Sequence, residues 1–133
     1  MADITPSGWP GNMFLQTVTI ASGASASEMI ATQGRVLLGI FTPAAWTDAA
    51  IGYKVGWNGN PNNLVWAYDN GKVLEQTKVS TDLAATSGFV AIPQSDAIKA
   101  PYIQLNSVVE GATTATTQGA ARTLVLVFCT FLS

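Results

Sequence analysis

The stretch RTLVLVFCTFL, residues 122–132, decides the fold. Past Thr123 it is apolar on both alternating registers, Leu124, Leu126 and Phe128 on one and Val125, Val127 and Cys129 on the other. A short run of this kind predicts a strand covered on both faces. A strand with one face in water would carry a polar residue at every second position. The rest of the chain must therefore supply neighbours for it on every side.

Short strands are easily found. Residues 14–20 (FLQTVTI) alternate Phe14, Gln16, Val18 and Ile20 with Leu15, Thr17 and Thr19. Residues 35–41 (RVLLGIF) are an apolar run between Gly34 and Pro43, and residues 89–92 are stopped by Pro93. Residues 51–57 (IGYKVGW) put Ile51, Tyr53, Val55 and Trp57 on one face and Gly52, Lys54 and Gly56 on the other. Two glycines on one face predict a layer packed close against it. Residues 101–109 (PYIQLNSVV) alternate Tyr102, Gln104 and Asn106 with Ile103, Leu105 and Ser107. Residues 64–69 (LVWAYD) and 72–76 (KVLEQ) flank Asn70-Gly71, a pair suited to the positive φ angles of a two-residue hairpin turn.

The intervening segments read as loops. Residues 21–33 are small and polar and predict a loop holding one helical turn. Residues 43–50 suit a turn or short helix carrying Trp46, and residues 58–63 (NGNPNN) an open loop. Residues 77–87, 94–100 and 110–119 are further loops and turns. With no internal repeat, this spacing predicts an all-β fold: a single antiparallel β-sandwich, jelly-roll-like, of about eight strands over residues 13–133. Residues 1–12 hold Pro6, Gly8, Pro10 and Gly11 around Trp9, which predicts an irregular N-terminal arm. Trp9 either folds back on its own domain or anchors the arm to a neighbour.

At 133 residues the chain is the size of one domain and needs no staple to hold a core. It contains no histidine and one cysteine. That removes the commonest acid–base group at neutral pH, the commonest metal ligand and most nucleophile–base pairs. Cys129 sits in the apolar run, where a thiol behaves as a small buried hydrophobe rather than a nucleophile. The acids Asp48, Asp69, Glu75, Asp82, Asp96 and Glu110 fall mostly in loops, with no spacing diagnostic of a hydrolase. Asp69-Asn70-Gly71 lacks the alternating ligands of a calcium loop. The expectation is a protein that is not an enzyme and carries no cofactor or metal.

Net charge is −2 with no basic run, which argues against nucleic acid as a partner. No apolar stretch approaches the ~20 residues of a membrane-spanning helix, and residues 1–15 lack the basic and apolar regions of a signal peptide. Only 11 % of residues are charged. A typical solvated surface carries about 25–35 %, so part of this surface is expected to be covered by partners. Trp57, Trp66 and Tyr68, with Trp46 and Tyr53 nearby in sequence, could form a sugar-stacking platform; packing in the core or between subunits is the weightier reading of them.

Two regions carry a resemblance. Residues 23–72 run from a small-polar lead through a strand ending in Gly39-Ile40, then Pro43-Ala44-Ala45-Trp46-Thr47, an alternating strand, a Gly/Asn loop, and an aromatic strand ending in Asp69 before a Gly turn. Further on, Tyr102–Ser107 matches a Tyr-led strand, and Gln118-Gly119-Ala120-Ala121-Arg122-Thr123-Leu124 a "Gln-Ala-Ala-X-Arg-Thr-apolar" strand entry. In order and spacing these resemble small structural proteins of tailed-phage virions with a galactose-binding-like or discoidin-like jelly-roll. Gln104 and Asn106 stand where the pattern has basic residues, which weakens any carry-over of sugar binding.

The resemblance implies a virion protein made in the host cytoplasm, of the capsid decoration (cement) type, that bridges subunits of the major capsid protein. It also implies a homo-oligomer, with a trimer suited to a symmetry axis. Trp9, Met13, Phe14, Phe131 and Leu132 are the expected partner contacts. Two other readings stand beside it: a carbohydrate-binding module of a head or tail fibre, using Trp57, Trp66 and Tyr68, and a neck or tail connector component.

Overall fold

The computed structural model describes residues 13–44, 46–47, 49–69, 72–76, 88–92 and 100–130. The apolar C-terminal run forms β11 (Arg122–Cys129), flanked by β1 (Met13–Ile20) and β3 (Val36–Thr42), both antiparallel to it. β9 (Gly88–Ala91) completes a four-stranded sheet in the order β1-β11-β3-β9. The second sheet has the order β2-β10-β4, from β2 (Ile30–Ala31), β10 (Tyr102–Val108) and β4 (Ala50–Gly56). β4's outer edge is shared by β5 (Val65–Trp66) and β8 (Glu75–Gln76).

β5 and β8 act as one interrupted strand, because both run antiparallel to β4 along the same edge. Val65 and Trp66 pair with Val55 and Lys54, and Glu75 and Gln76 pair with Gly52 and Ile51. Between them β6 (Tyr68–Asp69) and β7 (Lys72–Val73) leave the sheet as a small antiparallel ribbon. Its base is fastened by the Leu74 N–H donating to the Ala67 carbonyl at 2.9 Å. The predicted hairpin is thus present at its tip, with Asp69 paired to Lys72, while its outer halves pair with β4 instead of each other. Asn70 and Gly71 themselves lie outside the described residues.

With the β6–β7 ribbon set aside and β5 and β8 counted as one strand, the described residues form eight, nested as a jelly roll: first pairs with last, second with seventh, third with sixth, fourth with fifth. The core lies between the sheets. Val18 and Ile20 of β1, Leu37 and Ile40 of β3, and Leu124, Leu126 and Phe128 of β11 meet Ile51, Tyr53, Ile103 and Leu105 of the other sheet. Trp46 is buried among them, its indole N–H donating to the Ala49 carbonyl at 3.3 Å.

Two sequence expectations are corrected. Residues 21–33 hold no helical turn. Their small side chains let the backbone lie extended against both sheets, with the Ser27 N–H donating to Leu105 O at 2.9 Å and the Ser107 N–H to Ser25 O at 2.7 Å. Around Trp46 the turn of the two expected forms is present, with Ala44 in a turn and the described residues non-helical. The second correction is the glycine face of β4, where side chains of its own sheet and loop stand in place of the predicted packed layer: Val108 and Trp66 lie over Gly52, and Leu64 and Tyr102 lie over Gly56. Among the described residues no helix is long and apolar enough to cross a membrane.

Cys129 ends β11 and is buried at 2 % exposure. A thiol reagent should label it slowly in the native protein and quickly in denaturant. Cys129→Ala should cost about 1–2 kcal/mol of stability, read from urea unfolding.

Candidate functional site

Strand alternation sorts the β1-β11-β3-β9 sheet into an inner face, which is core, and an outer face. The outer face carries Leu15, Thr17 and Thr19 from β1, Thr123, Val125 and Val127 from β11, Gly39 and Phe41 from β3, and Phe89 and Ala91 from β9. None of these residues is charged. The face is closed from solvent toward Val36, Val127 and Cys129, and open toward Phe41 and Phe89, which are 47 % and 48 % exposed.

Phe41 and Phe89 are directly paired across β3 and β9, and their ring centroids are 4.6 Å apart at an interplanar angle of 49°. Phe89 can lie flat because its ring occupies the place a side chain at Gly39 would take. A hollow of about 530 Å³ beside the rings is lined by Thr42, Pro43, Gly88, Thr123 and Val125. Two phenylalanines held half out of water on an uncharged sheet form an apolar contact surface of the kind that marks interaction sites.

A second set of aromatics lies at the opposite sheet's edge, and the structure separates the residues that strand alternation had grouped. Tyr53 is in the core, whereas Trp57 follows the end of β4 and is exposed. Trp66 lies over Gly52 with the Lys54 ammonium 4.9 Å from its ring centroid, so its face is already occupied. Tyr68 is exposed on the protruding ribbon. The Ala67 N–H donates to the Tyr53 carbonyl, so Tyr68 follows a residue level with position 53. Trp57 lies four residues along β4 from there, roughly 13 Å away. Trp57 and Tyr68 thus leave the β4 edge at separate points, with Trp66 between them covered by Lys54.

A third concavity, of about 510 Å³, lies between the turn at Gln33 and Gly34 and the start of β10, lined by Thr32, Arg35, Pro101, Tyr102 and Thr130 among others. Its guanidinium rests on Phe14, 3.6 Å from the ring centroid. Its lining holds no carboxylate or thiol beside the hydroxyls of Thr32, Tyr102 and Thr130, and Thr32 Oγ1 donates to the Ala100 carbonyl at 2.6 Å. Among the described residues no group of three or more His, Cys, Asp or Glu could hold a metal ion. Of the acids, the Glu28 carboxylate accepts from the Thr19 N–H at 3.0 Å, while Asp48, Asp82 and Asp96 lie outside the described residues.

Of the expected partner contacts, Met13 and Phe14 are half-buried at the start of β1, with Phe14 packed against the core. Trp9, Phe131 and Leu132 lie outside the described residues. The Phe41–Phe89 pair went unrecognised in the sequence, because Phe41 closes one apolar run and Phe89 opens another 48 positions later. The Gly39 that makes room for Phe89 was the one available signal.

The two motifs that carried the resemblance meet in space. Gln118 is buried, and its side-chain carbonyl accepts from the Thr47 N–H at 2.9 Å and from Arg122 Nε at 3.2 Å. Its amide donates to Ser107 Oγ at 2.7 Å and to the Thr47 carbonyl at 3.3 Å. Arg122 and the Gly119 N–H both donate to Thr47 Oγ1. One amide thus clamps the Trp46 loop to the entry of β11.

No protein-family model matches the chain, and no curated protein or solved structure is significantly similar to it.

Gln118→Leu should therefore destabilise the fold by about 2–4 kcal/mol, since it strands a buried Thr47 N–H and Ser107 hydroxyl together. Gln118→Glu should recover only part of this, because a carboxylate cannot donate to the Thr47 carbonyl. Urea denaturation of the two variants checks both statements.

Proposed function

We propose that this chain is a structural protein of a tailed-phage particle, of the capsid decoration type, that lays the outer face of the β1-β11-β3-β9 sheet on the major capsid protein and bridges its subunits. The observation that carries this reading is the face itself: Phe41 and Phe89 half out of water on a sheet surface whose described strand residues carry no charge. Burial of such a surface contributes about 25 cal/mol per Å² of apolar area removed from water. Each copy seated across a seam adds interface that must be broken before the subunits can part, and symmetry repeats the gain over the shell. The role needs shape, apolar area and a stiff domain, and asks for no acid–base pair, nucleophile or metal. The placement on a phage rests on the resemblance carried by Pro43–Thr47 and Gln118–Leu124.

One observation favours a second reading, a carbohydrate-binding module: Trp57 and Tyr68 are both largely exposed. Their separation along the β4 edge, and the lysine on Trp66, fit a sugar poorly.

The test is binding of purified protein to heads of the parent phage that lack it. Phe41→Ser combined with Phe89→Ser should weaken binding about 30-fold, as expected for losing ~2 kcal/mol of buried aromatic contact. Trp57→Ala combined with Tyr68→Ala should leave it unchanged. Unaltered binding by the first pair, with folding verified by circular dichroism, overturns the reading.

A further inference from the structure

A β-sandwich has four strand edges, and three of them here are unsuited to accept another strand. β2 is two residues long, β9 four, and the β5/β8 edge is interrupted by the protruding ribbon. Short and interrupted edges are common defences against edge-to-edge association. β1 is different. It runs eight residues, Met13–Ile20, in unbroken register with β11, without a bulge, a proline or a charge.

Its free main-chain groups can be identified. The Thr19 N–H donates to Glu28, away from β11, so Thr19 and Thr123 are a non-hydrogen-bonded pair. Alternation along an antiparallel ladder then points the N–H and C=O of Met13, Leu15 and Thr17 to the same open side. The edge is closed at its far end, where Ile20 bridges to Ser27 and Glu28 caps Thr19. Among the described residues nothing pairs with the outward groups of Met13, Leu15 and Thr17, and each of these side chains keeps part of its surface in solvent. The open stretch, residues 13–18, is about 20 Å long.

We propose that this edge pairs with the same edge of a second copy of the chain, antiparallel about a two-fold axis at Leu15, so that two four-stranded sheets become one. The sequence is its own complement in that arrangement. Leu15 faces Leu15 of the second copy, Met13 faces Thr17, and no like charges meet. About six main-chain hydrogen bonds close across the axis, and the contact is isologous, so it stops at two copies. A second copy could not offer β2, β9 or the broken β5/β8 edge in place of β1, because none is long enough. Association through one edge strand buries less than a standard stable interface, so the dimer depends on concentration. It is independent of whether the outer face binds a capsid, and it makes the homo-oligomer a dimer in place of the expected trimer.

Sedimentation equilibrium of the full chain across a range of concentrations tests this. Wild type should show a monomer–dimer equilibrium. Thr17→Pro, which removes an outward N–H while leaving every bond to β11 in place, should weaken it at least ten-fold. Under mild oxidation Leu15→Cys should form covalent dimers, and Asn62→Cys, on the distant loop, should not. A chain that stays monomeric up to about 1 mM, where an association worth ~4 kcal/mol would be half formed, overturns the proposal and means that the edge is closed by residues 1–12 or reserved for a foreign strand. A dimer that Thr17→Pro leaves unweakened also overturns it. Should Thr17→Pro fail to fold, Leu15→Lys keeps every main-chain group, sets two like charges opposite each other on the axis and should give a similar loss. If neither folds, the presence or absence of the Leu15→Cys cross-link decides.

Discussion

The structure depends on one strand having to be buried on both sides. β11 presents Leu124, Leu126 and Phe128 to the core, all fully buried, and Val125, Val127 and Cys129 to the opposite face. Such a strand cannot sit at an edge. It takes a central place, and the strands on either side of it are β1 and β3, which lie far away in sequence. Pairing the last strand with the first makes the outermost of the nested pairs, and β2 with β10, β3 with β9 and β4 with β5/β8 close inside it. The cost is a fold made mostly of long-range contacts, which must close large loops before they are rewarded.

The same constraint produces the surface on which the functional reading rests. One face of β11 builds the core, and the other makes the outside of the sheet apolar as well. Toward Cys129 that outside is already shielded, and toward Val125 it opens beside the Phe41–Phe89 pair. The opposite sheet solves its outer face differently. There Gln104 and Asn106 turn their amides to local carbonyls, and Lys54 lies over Trp66. The middle of that sheet is thus finished by its own side chains, and its exposed apolar residues, Trp57, Val65 and Tyr68, stand along one edge rather than as a pair on its face.

Most of the architecture was legible in the sequence because it rests on period-two alternation and on turn residues. The strand beginning at Phe14, the alternation of β4 and β10 and the two-sided character of β11 all follow from local pattern. Residues 21–33 misled, because Ala, Ser and Gly there carry no strand signature; the segment is extended only because Leu105 and Ser107 of β10 supply hydrogen-bond partners. The split of the hairpin between its own tip and the β4 edge is likewise a tertiary choice. The Gln118 clamp joins groups 71 positions apart in sequence, and local spacing cannot announce it. The exposed aromatics were visible as residues, but which of them pair was not. Gly39 and Phe89 meet only when β3 and β9 are neighbours.

The most direct test of the central proposal, that the outer face of the β1-β11-β3-β9 sheet is the contact surface, is electron cryo-microscopy of the phage particle proposed to carry this chain, with the chain traced in the density. The account predicts that Phe41, Phe89 and Val125 lie against the shell protein while Trp57 and Tyr68 face solvent. Density that leaves the two phenylalanines in water and seats the protein by the Trp57–Tyr68 edge would contradict it.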